Sequence, residues 1–134
     1  MTQNRNDKKI KICIVTISLS KGGAERSTAL LSKMLHSSGF EVHLVTLNDD
    51  IDYPYAGNLI NLGLNKPKKD SILSRFLRFK KFRSIIKNEN FDYIIDNRNR
   101  QFALKELFYL NYLYKGNNIL YVVRSFNLSQ YFPD

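Results

Sequence analysis

The sequence predicts an α/β protein built on a Rossmann-like, doubly wound, mostly parallel sheet. Three observations carry this. The run from Ile10 to Ile17 (IKICIVTI) has too little polar alternation for a strand with one wet face and suits one covered on both. Strand-like and helix-like segments then alternate along the chain. Finally, the first strand breaks at Ser18–Ser20, and Gly22-Gly23 leads directly into a helix at Ala24, as loops at the carboxyl edge of such sheets do.

The elements follow in order. Ala24 to Ser38 carries Ala29, Leu30, Met34 and Leu35 at helical spacing, with Gly39 placed to close the helix. Val42, Leu44, Val45 and Leu47 form a second strand that ends at Asn48-Asp49-Asp50. Asp52 to Gly57 has the residues of a loop, and Leu59 to Leu62 makes a short third strand. A basic connector with Pro67 leads to Ser71, an N-cap for a helix from Ile72 to about Asn88. Phe91 to Asp96 is the fourth strand, Gln101 to Lys115 a helix closed by Gly116, and Ile119 to Val123 the fifth strand. Right-handed crossovers place the ends of the first, fourth and fifth strands along one edge. Gly22-Gly23, Asn97 to Arg100, and Arg124 to Asn127 are therefore expected to line one crevice.

A chain of 134 residues holds one domain, with residues 1–9 as a solvated tail and 10–134 as the folded unit. Its 43% hydrophobic and 25% charged residues are those of a globular protein. Cys13, the single cysteine, excludes an internal disulfide and reads as a small buried thiol in a reducing, cytoplasmic setting. The start, MTQNRNDKK, lacks the apolar stretch of a secretion signal, and no apolar run approaches the ~20 residues of a membrane span. The chain also ends soon after its fifth strand with no covering helix, so the domain is expected to be incomplete.

The net charge of +9 is concentrated. Between Lys66 and Lys87 there are nine basic residues against Asp70 alone, which accounts for +8 of it. Within that stretch Ile72, Phe76, Phe79, Phe82 and Ile86 step by three or four and form one apolar stripe. The stripe suits a helix packed on the sheet with a solvated basic face. Equally, Arg75, Arg78, Lys80, Lys81 and Arg83 beside bulky apolar groups suit a peripheral contact with anionic membrane. Nucleic acid is the weakest partner, because no recognised reading module accompanies the charge.

The run GGAERSTALLSKMLHSSGFEVHLVTL resembles the opening of family-4 glycosyltransferases of the GT-B fold, through Gly22, Gly23, Ala24, Glu25, Arg26 and then Gly39, Phe40, Glu41, Val42. The stretch FRSIIKNENFDYIID is similar to the same family's basic helix and fourth strand, and the likeness extends in order over most of residues 10 to 127. The resemblance implies the N-terminal, acceptor-side half of a retaining glycosyltransferase of hexosyltransferase type. Such an enzyme passes a sugar from a nucleotide-activated donor to a glycan or lipid-linked acceptor in surface polysaccharide synthesis, at the inner face of the membrane. It further implies no cofactor, a C-terminal nucleotide-sugar domain supplied in cis or in trans, and an inactive chain when that domain is missing. The alternative class is a non-catalytic α/β binding module that docks to a membrane or an acidic partner through its basic helix.

Candidate site residues follow from both lines. The resemblance implies that Gly22 and Gly23 belong to a loop facing the donor phosphates; by itself such a turn either needs positive φ or admits a close approach. SKGGAE has neither the G-x-G-x-x-G of a dinucleotide site nor the GK[ST] of a P-loop. Glu25 in the first helical turn either complements the helix dipole or touches substrate on the acceptor side. Arg98 and Arg100 at a strand end suit a bidentate grip on phosphate or carboxylate. Arg124 and Asn127 occupy the loop after the fifth strand, where several relatives have a histidine; asparagine there hydrogen-bonds but cannot act as acid or base, and the catalytic residue stays unassigned. His36 and His43 lack metal-ligand spacing, so no metal site is expected.

Overall fold

The computed structural model describes residues 8–64, 69–99 and 103–123. Expectations placed on Arg100, Arg124 and Asn127, and on Lys66 and Lys68 of the basic connector, lie outside these residues. The elements are β1 (Lys11–Thr16), α1 (Gly23–Ser37), β2 (Glu41–Thr46), β3 (Asn58–Asn61), α2 (Ile72–Glu89), β4 (Tyr93–Asp96), α3 (Ala103–Phe108), a π-helical turn (Tyr109–Leu113) and β5 (Ile119–Tyr121). The sheet order is β3-β2-β1-β4-β5 and every pairing is parallel. This is the predicted Rossmann-like doubly wound sheet. The chain runs outward from β1 to β3, then returns past β1 to place β4, so the order reverses between β1 and β4.

Burial explains why β1 is central. Cys13, Ile14 and Val15 are fully buried, and its two faces feed two cores. Ile12, Ile14, Val42 and Leu44 pack beneath α1, around Ala29. Cys13, Val15, Val45 and Ile94 pack on the other side against Phe82 and Ile86 of α2 and Tyr109 and Leu113. A strand with wet polar residues on either face would expose one of these cores. Burial, reinforced by the Asp96 charge, pushes the Cys13 thiol far up. We expect Cys13 to react with a thiol reagent only at the rate of unfolding, and rapid modification of the native chain would contradict this placement.

The helix ends obey local chemistry. Gly39 takes φ +91° just past α1, with its N–H on His36 O at 3.1 Å and the Phe40 N–H on Leu35 O at 3.1 Å. This doubly bonded close satisfies carbonyls that would otherwise lack partners. The Ser71 hydroxyl caps α2 by accepting from Ser74 N at 3.2 Å. Asn90 ends that helix in a left-handed conformation at φ 55°.

Two elements differ from expectation. The predicted helix from Gln101 to Lys115 is described from Ala103 and loosens at Tyr109, where Tyr114 N–H donates to Tyr109 O at 2.8 Å. The wider turn lets Tyr109, Leu113 and Tyr114 all bury, which a regular helix would spread over more of its surface. The apolar stripe of α2 also packs over only half its length. Phe82 and Ile86 are buried, whereas Ile72 is 86% and Phe76 59% exposed, because the N-terminal half of α2 overhangs the carboxyl edge of the sheet.

Candidate active site

The strand order reverses between β1 and β4, and it is at the carboxyl edge of such a reversal that open α/β sheets form their ligand crevice. One wall is the segment after β1. Leu19 N–H donates to Asp50 O at 2.9 Å, and Leu19 O accepts from Asp52 and Tyr53 N–H at 3.0 and 2.9 Å, which ties this wall to the loop after β2. The Ser20 hydroxyl adds a short hydrogen bond to the Asp52 carboxylate. The chain then turns within three residues: Gly22 N–H donates to Ser20 O at 2.9 Å around Lys21, whose φ is 63°. Positive φ therefore falls on Lys21, and neither Gly22 nor Gly23 needs it.

The two glycines serve close approach instead. Gly22, at φ −120°, is the N-cap of α1 and supplies no side-chain cap. A Cβ on Gly22 would strike the Glu25 carboxylate, which folds back over the start of its own helix. A Cβ on Gly23 would meet nothing within 4 Å, so the start of α1 is open on that side while the Glu25 carboxylate covers it at Gly22. Backbone N–H groups and the positive end of the helix dipole are presented there together. Arg26 is exposed beside them.

The other wall is the segment after β4. Asn97 N–H donates to Val15 O at 2.9 Å, and its side-chain amide donates to Ala24 O at 3.3 Å and to the Thr28 hydroxyl. The end of β4 is thereby fastened to the first turns of α1. Sequence reasoning placed Asn97 in the crevice but gave it no part; its role shows only once α1 and β4 are adjacent.

Arg98 does not reach into the crevice as expected. Its side chain is 2% exposed and turned inward, bonded through Nε and Nη2 to the fully buried Asp96 and through Nη2 to Glu106 at 2.9 Å. The guanidinium lies 3.6 Å from the centre of the Tyr109 ring, and Tyr114 Oη donates to Asp96 at 3.1 Å. Burial alone would lower the Arg98 pKa; the Asp96 carboxylate reverses this and holds it above the ordinary value. Burial, with Asp96 beside it, raises the Tyr114 hydroxyl well above its usual range. A strand-end arginine with two carboxylates beneath it folds onto them, because a free buried carboxylate costs more than an arginine withdrawn from water.

The basic helix carries a similar correction. Arg75 and Arg78 bind Asp70 at 3.1 and 2.6 Å, and Arg83 donates to the Tyr112 carbonyl and to Leu113 O at 3.1 Å, with its guanidinium over the Tyr112 ring. Lys80 and Lys81 are exposed, so the five cations are not one uniformly solvated patch. Hydrogen bonds from Arg78 first, and from Arg75, lower the Asp70 pKa to about 2. His43 lies 2.9 Å from a Glu41 oxygen and edge-on to Phe91, occupied within the fold. Among the described residues no helix is long and apolar enough to cross a membrane.

The sequence model of Glycosyltransferase Family 4 matches residues 21–110, from the glycine turn through α3. A Campylobacter jejuni protein named N-acetylgalactosamine-N,N'-diacetylbacillosaminyl-diphospho-undecaprenol 4-alpha-N-acetylgalactosaminyltransferase is 32% identical over 143 residues. The alignment covers 92% of this chain and 39% of that protein, so the chain spans well under half the length of the relative it matches.

Proposed function

Because this chain belongs to glycosyltransferase family 4, we propose that it forms the acceptor-side wall of a GT-B sugar-transfer cleft. The observation that carries this reading is the start of α1, open on its Gly23 side and set where the sheet order reverses. In this reading an acceptor hydroxyl attacks the anomeric carbon of a nucleotide-sugar. The bond to the nucleoside diphosphate breaks and configuration is retained. The N–H groups of Gly23 and Ala24 face the diphosphate as charge develops on it. Glu25 accepts a hydrogen bond from a sugar hydroxyl, and Arg100, Arg124 and Asn127 are the further acceptor-side residues of this reading. Arg98 acts beneath the site, as a positioning residue for the end of β4.

Residues 10–134 would thus be one domain of two, with the nucleotide-sugar domain supplied in cis or in trans and no cofactor required. The named acceptor of the Campylobacter relative is diphospho-undecaprenol-linked. That supports a lipid-linked acceptor in surface glycan assembly, met at the inner face of the membrane, with the exposed Lys80, Lys81 and apolar start of α2 against the lipid.

The test is to fuse the chain to the part of the Campylobacter relative that it does not cover. The fusion and the 134-residue chain are each assayed for release of nucleoside diphosphate from a panel of nucleotide-sugars, with prenyl-diphosphate-linked saccharide as acceptor. Acceptor-dependent release by the fusion alone is expected. Release by the isolated chain would overturn the two-wall reading. No release by the fusion, where the intact relative is active, would overturn the assignment.

A further inference from the structure

Large apolar side chains do not hold the start of α1. From Gly23 to Thr28 the helix reads GAERST, and the buried residues of its inner face are Thr28, Ala29 and Ser32. The core beneath it takes Ala29, Leu31 and Leu35 from the helix, all beyond that first stretch. Small residues let α1 lie close on the sheet. A face without large side chains, however, sets neither the tilt nor the rotation of the turns that carry it.

Polar ties supply what packing does not. Ser32 accepts from Ala56 N–H at 3.0 Å, which anchors the middle of the helix to the loop before β3. The first turns are tied by Asn97, whose amide donates to Ala24 O at 3.3 Å and to the Thr28 hydroxyl. The Thr28 hydroxyl in turn donates to the same Ala24 O at 2.9 Å, closing a triangle. Thr28 is 0% and Asn97 4% exposed, so water does not compete for these bonds. Asn97 is itself a fixed point: its N–H is on Val15 O at 2.9 Å, and the buried Asp96 and Arg98 on either side are bonded to each other.

The residue that Asn97 grips is also one that faces the crevice. The hydrogen-bond ladder of α1 begins with Arg26 N–H on Gly22 O at 3.0 Å, so the Gly23 and Ala24 N–H groups lie ahead of it. Ala24 thus has its carbonyl held by β4 and its N–H left for a ligand.

We propose that Asn97 is a positioning residue for sugar transfer, which through Ala24 and Thr28 sets the direction of the Gly23 and Ala24 N–H groups. This rests on the donor-facing turn of the function proposed above and adds which residue aims it. Donors that stabilise a developing charge act through their preset direction, so a turn free to rock loses rate more than ground-state binding.

The experiment has two readouts. In the 134-residue chain, amide NMR relaxation reports the order of Gly23 and Ala24. Asn97→Ala is expected to lower their order parameters from about 0.85 to below about 0.6. Thr28→Val should act in the same direction, and Thr28→Ser, which keeps the hydroxyl, should restore the parent value. Ile86→Val, in the opposite core, is the control: it should lower the melting temperature and leave both amides unmoved. In the two-domain fusion, Asn97→Ala is expected to lower kcat at least tenfold with donor KM within threefold. Adding Thr28→Val should cost no more than a further twofold, since both changes break one triangle. Unchanged order at Gly23 and Ala24 would overturn the proposal, as would a raised KM at constant kcat. Activity that merely follows melting temperature across all variants, Ile86→Val included, would show a structural role only and overturn it too. If Asn97→Ala does not fold, Thr28→Val against Thr28→Ser makes the same comparison. The amide readout needs no sugar transfer, so an inactive fusion counts against the proposed function and leaves this test standing.

Discussion

Arg98→Leu is expected to destabilise the chain by about 3–5 kcal/mol, a fall in melting temperature on the order of 10–20 °C. Arg98 holds two carboxylates, Asp96 and Glu106, that are 0% and 9% exposed as residues. Leucine replaces the apolar part of the side chain and its contact with Tyr109, but takes the paired cation from the fully buried Asp96 and one ion-pair partner from Glu106. The cost is that of the Asp96 charge left without its cation rather than of the lost pair, which is why it exceeds what a surface ion pair contributes. Arg98→Lys should fall between, since an ammonium keeps the charge and loses the fork that binds both partners. Urea and thermal unfolding measure both variants. A change below about 1 kcal/mol for the leucine variant would show that the network is not what fastens β4 to α3.

Gly23→Asp is expected to separate stability from activity. A carboxylate in the first turn complements the helix dipole, so stability should hold or rise by about 0.3–1 kcal/mol. The same carboxylate would occupy the open space in front of the α1 N–H groups and repel a diphosphate. In the two-domain fusion kcat/KM should fall by about 10²-fold, the scale of losing one oxyanion donor. Gly23→Asn, equally bulky and uncharged, should lose less, which distinguishes charge from obstruction. Unchanged transfer by the aspartate variant would remove the glycine turn from the donor-facing wall. Melting curves run alongside exclude misfolding as the cause.

Comparison of particular residues shows what the sequence made legible. The apolar run around Ile14 located the central strand, because only a strand with both faces covered tolerates that composition. Gly39 and Ser71 marked helix ends through chemistry internal to a few residues, and both hold as expected. The inward turn of Arg98 was not legible. Its partners Glu106 and Tyr114 come from an element whose position against β4 is set by packing. The positive φ at Lys21 was masked by two neighbouring glycines that attract that reading by composition alone. For α2, periodicity identified the apolar face correctly but carried no information on where the sheet beneath it ends, and that boundary leaves Ile72 and Phe76 exposed. The loosening at Tyr109 has the same origin, since three aromatic or aliphatic side chains compete for one buried side.

The central position of β1 also orders the assembly of the chain in time. β1 pairs with β2 after only α1 has been made, and β3 follows beside it. Its other neighbour, β4, arrives far later; the contact of Lys11 N–H with Asp92 spans 81 residues. Until then one edge of β1 stays unpaired, and until α2 is made Cys13 and Val15 also lack its cover. During synthesis this apolar edge is a template for pairing with other chains, and closing so long a loop is slow. The strand that gives the finished molecule its most protected core is therefore its most exposed liability while the ribosome is still working.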